Sequence, residues 1–177
     1  NENLDDGLAV RTGKLAAQLF DMIPKAFFLP DGLIVAHGCV PHSDICPEFK
    51  SEKDLNGELA LRDFVNARIA PRSARKRPSR GSTTHQLGRE NFESFCAKAT
   101  EILGQPVSRM VKGHEHIEER YCIYEEYFNH NMLVINNMCT SQGDFVMGGP
   151  HPPRVARWRE GQPPEVHPVK IPRYLIE

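Results

Sequence analysis

Three short apolar runs in the sequence are each followed by small or polar residues of the kinds that bind ligands. An imidazole at the end of a rigid strand is a good metal ligand because its orientation is already fixed. A glycine beside it lets the backbone come close to a ligand. The residues after the runs 33–36, 107–111 and 132–135 are His37-Gly38-Cys39, Lys112-Gly113-His114-Glu115-His116 and Asn136-Asn137. We therefore expect a ligand site beyond the ends of these runs.

The apolar runs themselves predict the strands that would position these side chains. Continuous runs of this length are typical of strands buried on both faces, and sites in α/β sheets form beyond the carboxyl ends of such strands. Helical spacing predicts two helices, over 8–22 and over 92–103, ended by Pro24 and by Gly104. Weaker strand predictions cover 107–112, 121–127, 154–158 and 166–171, and Phe64-Val65 is predicted to begin one more. Residues 70–81 predict a loop, and the class is α/β.

Composition excludes several classes of protein. The chain has 177 residues, 40% of them hydrophobic, and a formal charge of -1, so neither intrinsic disorder nor a general attraction to nucleic acids is expected. The cysteine count of five is odd, which predicts reduced thiols and a cytoplasmic location rather than a secreted disulfide framework. No stretch has the ~20 apolar residues of a membrane span, so a soluble protein without membrane contacts is expected.

Five segments, in order, resemble motifs of the serine/threonine phosphoprotein phosphatases, which are calcineurin-like metallophosphoesterases. A helix end similar to Phe-x-x-Leu-Pro-x-Ala is followed by segments similar to His-Gly-Gly, Arg-Gly-x-x-x-x-x-Gly, Val-Arg-Gly-His-Glu and Ser-Ala-Pro-Asn-Tyr-Cys. These segments are Leu19 to Ala26, Ile34 to Pro41, Arg80 to Gly88, Val111 to Glu115 and Leu133 to Cys139. The resemblance runs from about Leu8 to Gly149 and indicates the C-terminal half of the family's domain.

The resemblance implies a fold, a reaction and the roles of particular residues. The fold would be half of a layered α/β/β/α sandwich with a mixed sheet and flanking helices, formed by residues 1–150, with a Pro-rich extension, 151–177, packed on it. The reaction would be hydrolysis of phosphomonoesters on phosphorylated proteins or small phosphoesters, at two divalent ions of manganese, iron or zinc. The implied roles are metal ligation for His37 and His114, phosphate binding for Arg80, and substrate-groove positions for Asn137 and Cys139.

The sequence lacks several motifs that this family carries upstream of the matched segments. Gly-Asp-x-His-Gly, Gly-Asp-x-Val-Asp-Arg-Gly and Gly-Asn-His-Glu do not occur in it, and Asn66-Ala67-Arg68 stands near the place of Trp-Ser-Asp-Pro. The missing motifs supply the remaining metal ligands and the general acid. We therefore expect little hydrolysis by the chain alone. Either an N-terminal half, in the same or a companion chain, completes the site, or the chain associates with itself.

Three other interpretations of the polar residues are open at this stage. A structural zinc site could use His37, Cys39, His42 and Cys46, which fall within ten residues. The cations at positions 72, 75, 76, 77 and 80 could bind the phosphates of a nucleic acid, although no aromatic residue is interleaved for base stacking. Finally, His114 with His116, next to the pair Glu118-Glu119, could form another metal position, although an exposed connection between strands is the simpler explanation.

Overall fold

A five-stranded mixed sheet forms the centre of the protein. The computed structural model describes residues 6–42, 49–78, 85–115, 117–125, 131–135, 153–159 and 161–169. The strands of this sheet are β1 (Ala26–Phe28), β2 (Leu33–Ala36), β6 (Arg109–Lys112), β7 (Tyr121–Ile123) and β8 (Met132–Ile135). Their order is β1-β2-β6-β8-β7, in which β2, β6 and β8 are parallel and both edge strands are antiparallel to their neighbours.

The three parallel strands coincide with the three apolar runs of the sequence, except that β6 begins two residues later than its run and includes Lys112. They are mostly buried, as expected of strands covered on both faces. The register aligns Ala36 with Lys112, and Lys112 with Val134, so the three strands end side by side at one edge of the sheet. The residues that follow the runs 33–36 and 107–111 are described by the structure. For these two runs, the prediction that the polar residues after them lie at a common edge is confirmed.

Two smaller β structures accompany the central sheet. One has the strand order β3-β5-β4, formed by β3 (Arg68–Ile69), β4 (Arg77–Pro78) and β5 (His85–Leu87). The other is an antiparallel hairpin of β9 (Arg154–Arg157) and β10 (Glu165–Pro168), as the pattern in the C-terminal tail predicts. The hairpin contacts the domain through Trp158, since the Arg109 guanidinium lies 5.4 Å from the centroid of its ring. The predicted domain division at residue 150 stays a prediction.

The helices are α1 (Asp6–Met22), α2 (Glu52–Leu55), α3 (Glu58–Asn66) and α4 (Arg89–Leu103). In α4 the predicted apolar stripe is buried, and Gly104 ends the helix in the left-handed conformation that glycine tolerates best. The core lies between α3, α4 and the central sheet, where the Phe64 ring meets Phe28 and Phe95 edge-on at centroid distances of 6.0 and 6.1 Å. The α/β class with a mixed sheet and flanking helices is thus confirmed.

Some of the local predictions were wrong. Phe64 and Val65 do not begin a strand but lie in the last turns of α3, because an apolar pair alone cannot distinguish a strand from one buried face of a short helix. The predicted loop 70–81 contains the short strand β4. The strand predicted over 121–127 extends only to Ile123.

Helix α1 forms where the sequence predicts it but leaves its apolar stripe uncovered. Leu15 is 65% exposed, Leu19 60% and Met22 81%. In the described residues, no helix is of sufficient length and apolar character to cross a membrane.

Candidate metal site

His37 and His114, which are 77 positions apart in the sequence, meet at the carboxyl edge of the central sheet. His37 directly follows β2, and His114 comes two residues after β6. Their ring centroids are 5.0 Å apart at an interplanar angle of 70°, and the Nε2 atom of His37 lies 3.1 Å from the Nδ1 atom of His114. We call these two residues the strand-end pair. Ring nitrogens facing each other at this distance either share a proton or bind a common ion.

Two glycines allow close approaches around this pair. A Cβ atom on Gly113 would lie 3.2 Å from the Nδ1 atom of His37, so a larger residue would press on that ring. A Cβ atom on Gly38 would lie only 2.6 Å from the backbone of Val65, because the chain after β2 passes directly against the end of α3. The backbone N–H of Gly113 also donates to the carbonyl of His37 at 3.1 Å, which joins the two strand ends.

The backbone of His114 adopts a left-handed conformation with φ of 64°. This conformation is uncommon for a residue other than glycine and persists only where neighbouring contacts hold it. The contacts come from Glu115, whose carboxylate accepts from the Lys112 ammonium at 2.7 Å, from the Arg68 guanidinium at 3.1 Å and from the backbone N–H of Ile69 at 3.1 Å. The Lys112 side chain is completely buried, so this ion pair is an internal one.

The surroundings of His114 favour its neutral form. Its pKa is lowered to about 4, first because burial removes hydration and then because the positive charges of Arg68 and Lys112 oppose protonation. A neutral imidazole is the form that binds metal ions, since a protonated ring nitrogen has no free lone pair.

The separation of the two ring nitrogens fits coordination of one ion. Two nitrogen ligands at about 2.1 Å from an ion lie about 3.0 Å apart in an octahedral site and about 3.4 Å apart in a tetrahedral one. The observed 3.1 Å lies within this interval. Across the part of the chain that the structure describes, however, no group of three or more histidine, cysteine, aspartate or glutamate side chains could hold a metal. The strand-end pair therefore offers two ring nitrogens, and no third candidate ligand joins them among the described residues.

A second histidine pair has a similar ring geometry but differs in character. The rings of His42 and His85 are 4.9 Å apart between centroids at 73°, and we call them the buried pair. His42 is 3% exposed, and neither of its ring nitrogens has a hydrogen-bond partner among the described residues. Its pKa is lowered to about 4 by burial first, and then by the positive charge of Lys76. The Asp63 carboxylate is also buried, and burial raises its pKa.

The alternative of a structural zinc site is not supported by the positions of its described residues. Cys39 is completely buried in the hydrophobic core, where burial raises the pKa of its thiol to about 11. Apolar burial disfavours the thiolate, which is the form of cysteine that binds zinc. The ring of His37 faces His114, and His42 packs against His85. Cys46 lies outside the described residues.

Several of the predicted site residues fall outside the described part of the chain. They are Arg80, Asn137, Cys139 and His116. The roles predicted for the first three, and the alternative metal position at His116, stay predictions. The anchoring by Glu115 was not predicted, although the spacing of Lys112 and Glu115 is a signal that could have suggested an ion pair.

Comparison with known proteins supports the fold. No family model matches the sequence, and no curated protein matches it significantly. A solved structure does resemble it, described as a protein serine/threonine phosphatase from Saccharomyces cerevisiae with similarity to human phosphatase PP5. The TM-score is 0.56 at 20% sequence identity, over 75% of this chain and 41% of that chain. The present chain thus spans less than half the length of that protein, and the likeness at this identity concerns the fold.

Proposed function

We propose that this chain forms part of the active site of a metal-dependent phosphomonoester hydrolase that acts on phosphoserine or phosphothreonine in proteins. The observation that carries the proposal is the 3.1 Å approach of the His37 and His114 ring nitrogens at the edge of the central sheet. The fold of the yeast phosphatase and the five motif-like segments of the sequence agree with it. Two nitrogens from separate strands provide a rigid partial ligand set, because the sheet determines their separation.

The residues of this chain would divide the work between holding the ion and holding the phosphate. His37 and His114 would bind one of two divalent ions, manganese, iron or zinc, and Arg80 would bind the phosphate with its bidentate guanidinium. Asn137 and Cys139 would lie beside the substrate. The ions, when bound, lower the pKa of a bound water and neutralise charge on the phosphoryl oxygens. The lowered pKa of His114 keeps that ring available as a ligand at neutral pH.

Metal binding tests this assignment without requiring turnover. The full chain is titrated with Mn²⁺ and with Zn²⁺ by calorimetry, alongside His37→Ala, His114→Ala and the size-conserving variant His114→Gln. Each replacement removes one of two ligands, so we expect the affinity to fall at least about 100-fold. His167→Ala is the matched control, since this histidine is 57% exposed on the hairpin, and it should bind as the unchanged chain does. Equal affinity in all five proteins, with folding verified by circular dichroism, would refute the assignment.

We also propose that a companion segment completes the site. It would carry the missing Asp, His and Asn ligands, either in the same polypeptide or in a partner. Support comes from the two-ligand set, from the 41% coverage of the yeast phosphatase and from the uncovered apolar stripe of α1. An exposed apolar surface of this kind is typical of an interface.

Hydrolysis of an aryl phosphate distinguishes two ways in which the active site could be completed. Either another segment supplies the missing ligands, or the chain associates with itself. We expect negligible turnover by the chain alone and metal-dependent turnover once a polypeptide with the upstream motifs is added. In that mixture His37→Ala and His114→Ala should abolish turnover. Leu15→Ser with Leu19→Ser should weaken the association measured by sedimentation, because it makes the α1 stripe polar. Rapid turnover by the chain alone would mean that the catalytic groups have been misassigned.

We further propose a reducing, cytoplasmic location. The support comes from the thiols, since Cys39, Cys96 and Cys122 are all free.

A further inference from the structure

Residues 71–78, which we call the basic segment, form a positively charged surface close to the strand-end pair. The segment contains Arg72, Arg75, Lys76 and Arg77 and no acidic residue. In a chain whose formal charge is -1, this is a local concentration of positive charge rather than part of a general one. Arg72, Arg75 and Arg77 are exposed, and Lys76 is half-buried. The charges are therefore presented to solvent, where they can meet a partner.

The backbone of the segment is held rigidly against the start of α4. The carbonyl of Ser73 accepts from the N–H of Arg89 at 3.1 Å, and that of Ala74 accepts from the N–H of Glu90 at 2.8 Å. A Cβ atom on Gly88 would lie 2.5 Å from this backbone, so the two backbone segments are in close contact at Ser73 and Ala74. The basic side chains thus project from an ordered support, which lowers the entropy that a partner would lose on binding them.

The sheet places the segment near the metal site. Gln86 of β5 is paired with Arg68 on one side and with Arg77 on the other. Since neighbouring strands lie about 4.8 Å apart, the Cα atoms of Arg68 and Arg77 are separated by about 10 Å. Arg68 in turn bonds Glu115, the residue next to His114. At the start of the segment, Arg72 is three residues from Ile69, so the Cα atoms of these two residues lie within about 11 Å of each other. The backbone N–H of Ile69 also donates to the Glu115 carboxylate.

Two of the exposed arginines keep their charge uncompensated. Arg75 is paired with Glu90 at 3.1 Å, whereas Arg72 and Arg77 have no acidic partner among the described residues. The field of the segment also reaches inward, since the positive charge of Lys76 is the second cause, after burial, of the lowered pKa of His42. A phosphate bound at the strand-end pair would therefore lie beside the basic segment. It would leave the charges of Arg72 and Arg77 available to other groups of the same substrate.

We propose that the basic segment selects phosphoproteins in which acidic residues flank the phosphorylated serine or threonine. This inference rests on the proposed function and specifies its substrate. Carboxylates next to the phosphoamino acid would extend from the metal site onto Arg72 and Arg77 and form charge-assisted contacts there. A nucleic acid is the less favoured partner, because the segment carries no aromatic residue on which bases could stack.

The test compares binding of labelled phosphoserine peptides that differ only in their flanking residues. The flanks are Asp and Glu in one peptide, Ala in the second and Lys in the third, and binding to the full chain is followed by fluorescence anisotropy. We expect the order acidic, then neutral, then basic. The preference should vanish at about 1 M salt, where the screening length is about 3 Å.

A pair of variants with the same change in net charge provides the control. Arg72→Ser with Arg77→Ser should lower affinity for the acidic peptide about tenfold and leave the neutral peptide unchanged within about twofold. Arg11→Ser with Lys14→Ser removes the same charge from exposed positions of α1 and should change neither. If both double variants weaken the acidic peptide equally, net charge alone acts and the inference fails.

The outcomes distinguish this inference from the proposed function. If the peptides bind equally while Mn²⁺ still requires His37 and His114, the inference fails and the proposed function stands. If the chain prefers the acidic peptide but binds no metal ion, the basic segment is a peptide-binding surface and the proposed function fails. Tighter binding of a single-stranded RNA or DNA oligonucleotide than of the acidic peptide, lost in Arg72→Ser with Arg77→Ser, would overturn the assignment in favour of a nucleic-acid partner.

Discussion

The two histidine pairs have nearly the same ring geometry but differ in what surrounds them. Centroid distances are 5.0 and 4.9 Å and interplanar angles 70° and 73° for the strand-end pair and the buried pair. In the strand-end pair two ring nitrogens face each other at 3.1 Å, and His37 is exposed. In the buried pair the ring nitrogens of His42 have no partner in the described part of the protein, and the ring is almost fully covered. Proximity of two imidazoles is therefore not sufficient for a site.

What distinguishes the pairs is the direction of the nitrogen lone pairs and the access of solvent. A metal ion binds where lone pairs converge and where it can exchange with water. The strand-end pair meets both conditions because each ring follows a strand of the same sheet. In the buried pair the ring nitrogens of His42 have no partner among the described residues and almost no access to solvent, so we expect the pair to affect stability rather than ligand binding.

The largest expected effect comes from the anchor of the strand-end pair. Glu115→Gln leaves the buried Lys112 ammonium without its carboxylate, so we expect the free energy of unfolding to fall by about 3 kcal/mol. Urea titration followed by circular dichroism measures this. Glu90→Gln breaks the exposed pair with Arg75 and serves as the control, with an expected loss of no more than about 0.5 kcal/mol. Similar losses in both variants would show that Glu115 does not anchor the site.

A smaller effect is expected when the space between the two rings is reduced. In Gly113→Ala the new methyl group would press on the His37 ring from 3.2 Å and turn it away from His114. We expect the affinity for Mn²⁺ to fall about three- to tenfold, because ligand geometry tolerates only small displacements. Gly13→Ala adds a methyl group in open space on α1 and should leave the affinity unchanged. An unaltered affinity in Gly113→Ala would mean that the His37 ring does not bind the metal in this orientation.

The smallest effect concerns the buried pair and appears only in acid. The pKa of His42 is about 4 in the folded protein against 6.5 ordinarily, so between these values the unfolded chain binds more protons. Stability from this group is therefore complete above pH 6.5 and is lost as the pH falls towards 4. His42→Gln should make the free energy of unfolding less dependent on pH between 6.5 and 4, and change the affinity for Mn²⁺ by less than about twofold.

Unfolding by urea at a series of pH values measures this difference. His167→Gln, at an exposed position of the hairpin, provides the comparison and should keep the acid dependence of the unchanged protein. A weaker affinity for Mn²⁺ in His42→Gln would erase the distinction between the two pairs.

Much of the framework could be predicted from local patterns. The strands Leu33–Ala36 and Met132–Ile135 have the predicted bounds, and the helix that buries Phe92 and Phe95 follows its predicted spacing. Helix α3 was missed, because its 9 residues mix charged and apolar side chains and its buried face is short. The buried pair was also missed, since nothing in the sequence near His42 indicates that His85 covers it.

Helix α1 shows a further limit of local patterns. Its apolar stripe has the same kind of periodicity as that of α4, yet Leu15, Leu19 and Met22 are exposed whereas Phe92 and Phe95 are buried. Periodicity determines which residues share a face of a helix, but it contains no information about what covers that face.

The sequence by itself determined that short buried strands would be followed by His37 and by Gly113-His114, because strand formation and burial depend on the residue types of a few neighbouring positions. Only the tertiary structure decided that these strands are parallel neighbours in matched register, so that two rings 77 residues apart meet at 3.1 Å. That outcome depends on hydrogen bonds between distant strands and on packing of α3 and α4 against the sheet. Interactions between such distant residues leave no trace in local spacing.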